Sequence, residues 1–591
     1  MKRHWKFLIL VLALAAIFAF TACGGGDDNG GTGGTTPTTP VATPPPEGDL
    51  EEVVHGDPRL VAHGLELVEF RGETVLRFTD TRNVSVIAWN RSPDRLPHIT
   101  ESYWTDWISR EVLEMHNIAI NFVEVDRWTE SDVMGALLMA NNAPDVSMMF
   151  DFQPVLELAG MGGIHDLGPL VSAYRDFIPN FYEMQGTEMV WWNRDPVSGN
   201  LWAFTGRHFA GDLRMATFVR EDWLNALNIS PPTSHAEFEA MLIAFRDNAE
   251  LLLGADAAQM IPFQPSQDIG WRGDHVMTSF MPNDITHREH FVRGFDDRRF
   301  TQPGIKEGAR VLNRWFNEGL MWQDFSLHDA NDPLGDDLIM LGFVGSFIGN
   351  WDYPFRTSPG VITQLRYNVG PEANFIAVAP FENDAGVVRM EVGHGQERHI
   401  FLPHTNTEPI ASLLYIDFIS RPDVREFIMF GYEGIHFEMG PDGYLIPIDN
   451  DLWPDEMFIP SLRNFDLLPT FTNIPPLSNP ALNSLAFGFE GIEQDNVNRT
   501  IELTRQHAWV PPRVVVREIV AEGLYGGALD GMFGMGNEVL NQAINASPAD
   551  FDAVFDAGME RYMAAGGRAI MEEREIAWVE TFGDVDWLTM D

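Results

Sequence analysis

Cysteine is all but missing: Cys23 is the only one in 591 residues. No disulfide can form within the chain, so its stability must come from a packed core, for which this length is ample. Basic residues are scarce as well, with 39 Lys and Arg against 86 Asp and Glu and a net charge of −47. That balance excludes nucleic acid and anionic lipid surfaces as partners, because phosphate binding needs Lys or Arg to displace counterions. It weighs more gently against a polyanionic ligand such as a uronate polymer, and it keeps a chain soluble. Past the N-terminus the basic residues are almost all Arg, Lys306 being the exception. Catalytic signatures are missing too: there is no His-Glu-x-x-His, no Gly-x-Ser-x-Gly, no Walker loop and no Gly-x-Gly-x-x-Gly fingerprint. His394 and His399 flank a short polar run, but His399 belongs to a strand pattern, and no metal or cofactor is expected.

Lys2, Arg3 and Lys6 precede an apolar run from Phe7 to Phe20, and Thr21-Ala22-Cys23 follows. The run is shorter than the roughly 20 residues a spanning helix needs. A basic start, an apolar stretch and small residues before a cleavage point make residues 1–22 a secretory signal. A lone Cys at this place resembles a bacterial lipobox, which implies lipidation of Cys23 and a membrane anchor. Phe20 departs from the usual aliphatic residue, and ordinary signal cleavage is the alternative. Residues 23–80 then read as the anchor, a flexible Gly-, Thr- and Pro-rich tether that buries too little to order itself, and two short strands (Leu65–Val68 and Thr74–Phe78).

Alternation of element types sets the fold class. Val84–Trp89, Ile118–Val125 and Pro144–Phe150 read as strands, with helices at Tyr103–Met115 and Asp132–Asn142 between them. Strand–helix alternation at these lengths implies right-handed crossovers and a parallel sheet, so the chain is α/β. Gly199–Phe245 then gives a turn, apolar runs at Leu201–Phe204 and Met215–Val219, and a short helix at Glu221–Leu227. A longer helix follows behind a capping box at Ser234 and Glu237, with Phe238, Met241, Leu242 and Phe245 at helical spacing. Further helices are expected at Ile305–Trp315, from Pro409, and from Asp550 to Gly566-Gly567, with strands at Phe375–Pro380 and His399–Pro403.

The order of pieces from Gly199 to Phe238, carried by Leu201, Trp202, Arg220, Asp222, Trp223, Leu224, Leu227, Pro232, Thr233 and Glu237, resembles extracellular solute-binding proteins of carbohydrate-type ABC importers, in particular their large lipoprotein subgroup. Asp166-Leu167 with Pro169-Leu170, Gly319-Leu320 and Gly431–Phe437 resemble further blocks of that family. A Ca²⁺ loop common in the subgroup lacks its alternating oxygen ligands at Asp247–Pro262. The resemblance implies a two-lobed periplasmic-binding-protein-like fold of type II with a ligand cleft between lobes. Lobe one would be 83–205 and 391–435; lobe two would be 206–390 and 436–591.

It also implies a site. Trp351 stands where the family's strand-end aromatic stacks on a sugar, with Asp352 and Tyr353 beside it; a plain core role for Trp351 is the alternative. Phe152 would be a second plate, with Asp151, Trp89, Asn90 and Trp271 as hydroxyl partners or further plates. Glu433 and His436 would reach the cleft or serve the turn around Gly434. Implied partners are a small carbohydrate and the transmembrane subunits of a permease, for a monomer on the outer face of the membrane. An oligopeptide or other small-solute binder, and a secreted carbohydrate-active enzyme, are the other readings; among so many carboxylates, some pair will lie about 5–9 Å apart by chance.

Overall fold

The computed structural model describes residues 58–586 except 91–98, 128, 151, 191–192, 196–197, 209–212, 330–331, 357–359, 393–395, 441–444, 449–451, 458–465, 469–470, 473–493 and 510–513. The signal, Cys23 and the tether lie outside these residues, as does Asp151.

A hairpin comes first: β1 (Leu65–Phe70) pairs antiparallel with β2 (Glu73–Phe78). Its turn places Arg71 and Gly72 at φ 50° and 91°, the two positive φ values that match strand twist in a two-residue hairpin loop. β3 (Arg82–Asn90) runs parallel to β4 (Ile118–Asp126) over its whole length. β5 (Ser147–Met149) joins β3 through a parallel bridge at Val86 and Val146. The crossover helix Tyr103–His116 starts at Ser102, whose side chain accepts from Thr105 N, and stops where Asn117 turns left-handed. Its buried face is Trp104, Ile108, Val112 and Met115, as the spacing predicts. The next helix ends at Met139 rather than Asn142, because Asn141 takes φ 53° and Pro144 disfavours a helical residue before it.

β6 (Phe204–His208) lies later than the apolar run Leu201–Phe204 suggests; Leu201 makes only a single bridge, to Arg194. β7 (Met215–Arg220), β8 (Ile261–Gln264), β9 (Val344–Asn350) and β10 (Phe375–Val378) form a second sheet in the order β10-β7-β9-β8. β11 (Met390–Glu391) is short, and β12 (Gln396–Phe401) returns to the first sheet between β5 and β6. β13 (Phe437–Met439) pairs with β14 (Leu445–Pro447), β15 (Phe471–Thr472) runs beside β6, and β16 (Ala508–Trp509) beside β11. β7 is buried at every position, the pattern of a strand covered on both faces.

Two main cores result. One gathers residues from Leu60 to Phe204 and from Ile400 to Leu468; the other gathers residues from Leu213 to Phe381 and from Val497 to Ile570. The chain therefore passes between them in the intervals 205–212, 382–399 and 469–496. The expected division at 435/436 falls inside the first core: Phe437 and Trp453 pack on it, and Leu467 and Leu468 are part of it.

The motif Arg220-x-Asp222-Trp223 has a structural task. Arg220 is fully buried. It grips Asp222 through Nε at 2.8 Å and Nη2 at 2.6 Å, donates Nη1 to Gly342 O at 3.0 Å, and lies 4.7 Å over the Trp223 ring. The clamp ties the end of β7 to the helix Glu221–Leu227 and to the turn before β9. The expected capping box forms by half: Ser234 accepts from Glu237 N, while the Glu237 carboxylate takes the amide and hydroxyl of Thr233. At the C-terminal end Gly566 does not stop the chain. It sits at φ 138° in a single wide turn that leads into a last helix, Arg568–Phe582.

Candidate ligand site at the strand ends

β3, β4 and β5 end side by side at Asn90, Asp126 and Met149, and there an indole is held between two cations. Trp89, fully buried, has Arg127 4.5 Å from its ring centre and Arg398 5.1 Å from it. Arg127 also covers Phe150 and pairs with Glu130 at 3.1 Å; Arg398 pairs with buried Asp466 at 2.9 Å. Asn90 donates its side-chain amide to Glu124. Phe152 is half-buried and lies 5.1 Å from the His399 ring. Below it, Asn193 joins His399 Nδ1 at 2.9 Å and Thr205 Oγ1 at 2.8 Å.

The second sheet repeats the device. Trp271, half-buried on the short helix after β8, has Arg298 4.2 Å from its ring centre and Arg214 4.9 Å from it. Arg298 grips Asp268 at 3.1 and 2.9 Å, and Arg214 reaches Asp297 at 2.9 Å. In both tryptophans the indole N–H is buried without an acceptor among the described residues. Nearby, Asp296 and Asp530 share a hydrogen bond, and burial raises both carboxyls above their ordinary range.

Trp351 lies just past the end of β9 but is 4% exposed and belongs to the second core, its backbone N–H donating to Arg214 O. Its ring packs into that core just past the last residue of β9. Asp352 is engaged by Arg356 through two bonds of 2.9 and 2.8 Å. Tyr353 donates its hydroxyl to Asp336, and burial raises both groups above their ordinary values. Glu433 is exposed. His436 is sealed in the first core between Trp104 and Trp453; its Nδ1 accepts from Tyr432 N at 2.9 Å and its Nε2 faces Met457 O at 3.0 Å. Both ring nitrogens are thus taken, and burial lowers its pKa. Of these candidates, Trp351 packs in the second core, and His436 serves the turn around Gly434 from within the first.

A cavity opens at the carboxyl ends of β8 and β9. Gln264, Ser266, Arg272, Trp322, Asp336 and Tyr353 line it. The Ser266 hydroxyl is buried without a partner among the described residues. Trp322 lies flat against His328, 5.1 Å apart and 15° from parallel. Of the lining residues only Tyr353 was a sequence candidate. The others are spread from 264 to 349 and share no spacing; the one adjacent hint was Trp271 beside Arg272.

Neither a protein-family model nor a curated protein matches the sequence. Solved structures do match in shape. An alginate-binding protein without calcium ion superposes with a TM-score of 0.58 at 16% identity, over 85% of this chain and 98% of its own. A solute-binding protein from Bifidobacterium longum infantis, described as HMO-binding and associated with an ABC transporter, gives 0.57 at 15%, over 84% and 99%. The fold is that of two-lobed solute-binding proteins. An N-glycan transport solute-binding protein from Streptococcus pneumoniae adds 0.52 at 13%, over 85% and 100%. In this two-lobed architecture the cavity and the two flanked tryptophans occupy strand ends, where open α/β sheets carry ligands. No helix among the described residues is long and apolar enough to cross a membrane.

Proposed function

We propose that the protein is the extracellular solute-binding subunit of an ABC importer and captures a sugar or oligosaccharide between two lobes. The observation that carries this reading is the cavity beyond β8 and β9. It joins aromatic surface from Trp322 and Tyr353 to the Asp336 carboxylate and to Ser266, whose buried hydroxyl has no partner among the described residues. A sugar presents an apolar CH face and a rim of hydroxyls, which such a lining suits. Trp89 and Trp271 then act as pillars more than plates, since arginines lie against their rings. Phe152, Asn90 and Asp151 remain candidate contacts from the first lobe; Asp352 and Tyr353 remain candidates from the second.

The lobes follow the two cores, and the three crossings form the waist. No bond is made or broken. Ligand contacts both lobes only in the closed form, so binding shifts the open–closed equilibrium by its difference in affinity for the two. The closed face docks on the permease, and lipidated Cys23 holds the monomer at the outer face of the membrane. Release requires moderate affinity, and a micromolar Kd corresponds to about −8.2 kcal/mol.

The test is a thermal-shift and calorimetric screen of the mature chain against a glycan library. Ligand at 100 times Kd adds about 2.7 kcal/mol of stability. A saturable shift with glycans supports the reading. A shift with peptides alone would favour an oligopeptide binder, and turnover without a saturable shift would favour an enzyme.

A further inference from the structure

The cavity holds a cation. Arg272, on the helix after β8, extends into it, and no hydrogen bond or ion pair engages its guanidinium among the described residues. Its charged neighbours are committed elsewhere. Asp268 is held by both Nε and Nη2 of Arg298, and Asp336 accepts from the Tyr353 hydroxyl. Arg356, the other cation near it, is paired with Asp352 through Nε and Nη2. Burial depresses the Arg272 pKa, the mark of a charge whose lost hydration is not made good by the protein. A guanidinium in this state gains most from a planar anion that accepts two parallel N–H bonds, and less from hydroxyls.

We propose that the ligand is an acidic saccharide whose carboxylate is received by Arg272. The inference rests on the sugar-binding reading and narrows it. Asp336 and Asp332 line the same cavity and serve as acceptors for hydroxyls, and Gln264 and Ser266 stand beside them. These carboxylates and the net charge of −47 disfavour a chain of many anions. The fit is to a sugar with one carboxylate among neutral hydroxyls. Asp332 is already fixed, accepting from His328 Nδ1 at 2.8 Å and from Leu334 N at 2.9 Å, so it offers remaining lone pairs and does not swing onto Arg272.

The experiment is a glycan array of neutral oligosaccharides and their counterparts carrying one uronate or sialate, followed by calorimetry on matched pairs. The expected result is binding at least about tenfold tighter for the acidic member of a pair. That preference should weaken as NaCl rises, while binding of the neutral member does not change. In Arg272→Gln the ratio of the two affinities should fall to near one, and Arg272→Lys should keep part of it. Equal affinity of matched pairs in the wild type, or a preference that survives Arg272→Gln, overturns the inference and leaves the sugar reading standing. Failure of every glycan, neutral or acidic, overturns both. Should Arg272→Gln fail to fold, the wild-type ratio and its salt dependence decide alone.

Discussion

Removing Asp222 tests whether the clamp at the end of β7 is structural. In Asp222→Ala, Arg220 loses both bonds to the carboxylate and keeps one to Gly342 O, with its side chain wholly buried. Breaking a buried pair by deleting one partner costs about 3–5 kcal/mol. Asp222 is 20% exposed, so water can enter on its side and hold the loss near the low end. A body of 150–250 residues loses roughly 2–4 °C per kcal/mol, which gives a drop of roughly 6–12 °C for the lower figure. Urea titration followed by tryptophan fluorescence reads the effect directly, since Trp223 lies under Arg220. The double variant Arg220→Met, Asp222→Leu removes both charges and should recover most of the loss. A cost below about 1 kcal/mol for Asp222→Ala, or a double variant no more stable than the single one, would refute the clamp.

Burial lifts the Asp417 carboxyl to about 6, against hydrogen bonds from Asn180 and Phe181 that oppose the rise. Its folded pKa lies above its unfolded one, so stability should fall as pH rises between about 4 and 6, by up to about 3 kcal/mol, and Asp417→Asn should flatten that slope in pH-dependent urea titrations. His116 is lowered to about 4 by burial, so it contributes the opposite slope below about 6.5, and His116→Gln should steepen the wild-type decline. Gly431→Ala puts a methyl 2.4 Å from His436 Nδ1 at φ 75°; a loss of about 1–3 kcal/mol is expected by thermal denaturation. Trp351→Ala should cost about 3–5 kcal/mol and lower the melting temperature whether or not ligand affinity changes; an unaltered melting temperature would contradict its burial.

The framework was legible where hydrophobic pattern alone decides it. β3, β4 and β7 are apolar runs bounded by turns, and the helix at Tyr103–His116 carries its stripe and cap in plain view. β6 was misplaced because Thr205, Gly206 and Arg207 carry no apolar signal; pairing with β12 makes them a strand. Site residues were harder for a different reason. Sequence marks an aromatic at a strand end but not which way it faces, and Trp351, one residue past β9, packs into the second core. The Gly431–His436 motif was visible, but its tight contact, in which a single methyl would collide, is a matter of three dimensions. Arg272 had no signature, since what distinguishes it is that Asp268 and Asp336 beside it are engaged by Arg298 and Tyr353.

The two cores are woven from alternating lengths of one chain, and this governs how the protein can be made. The wall laid down by residues 60–204 stays open until Ile400, Leu402 and the helix Pro409–Ser420 arrive to cover it. A ribosome or export channel delivering the chain from its N-terminus must therefore present a long stretch with exposed apolar surface before either half can close. A polypeptide ending shortly after Val378 should collapse without a cooperative transition, and chaperone dependence should persist until the last crossing has emerged.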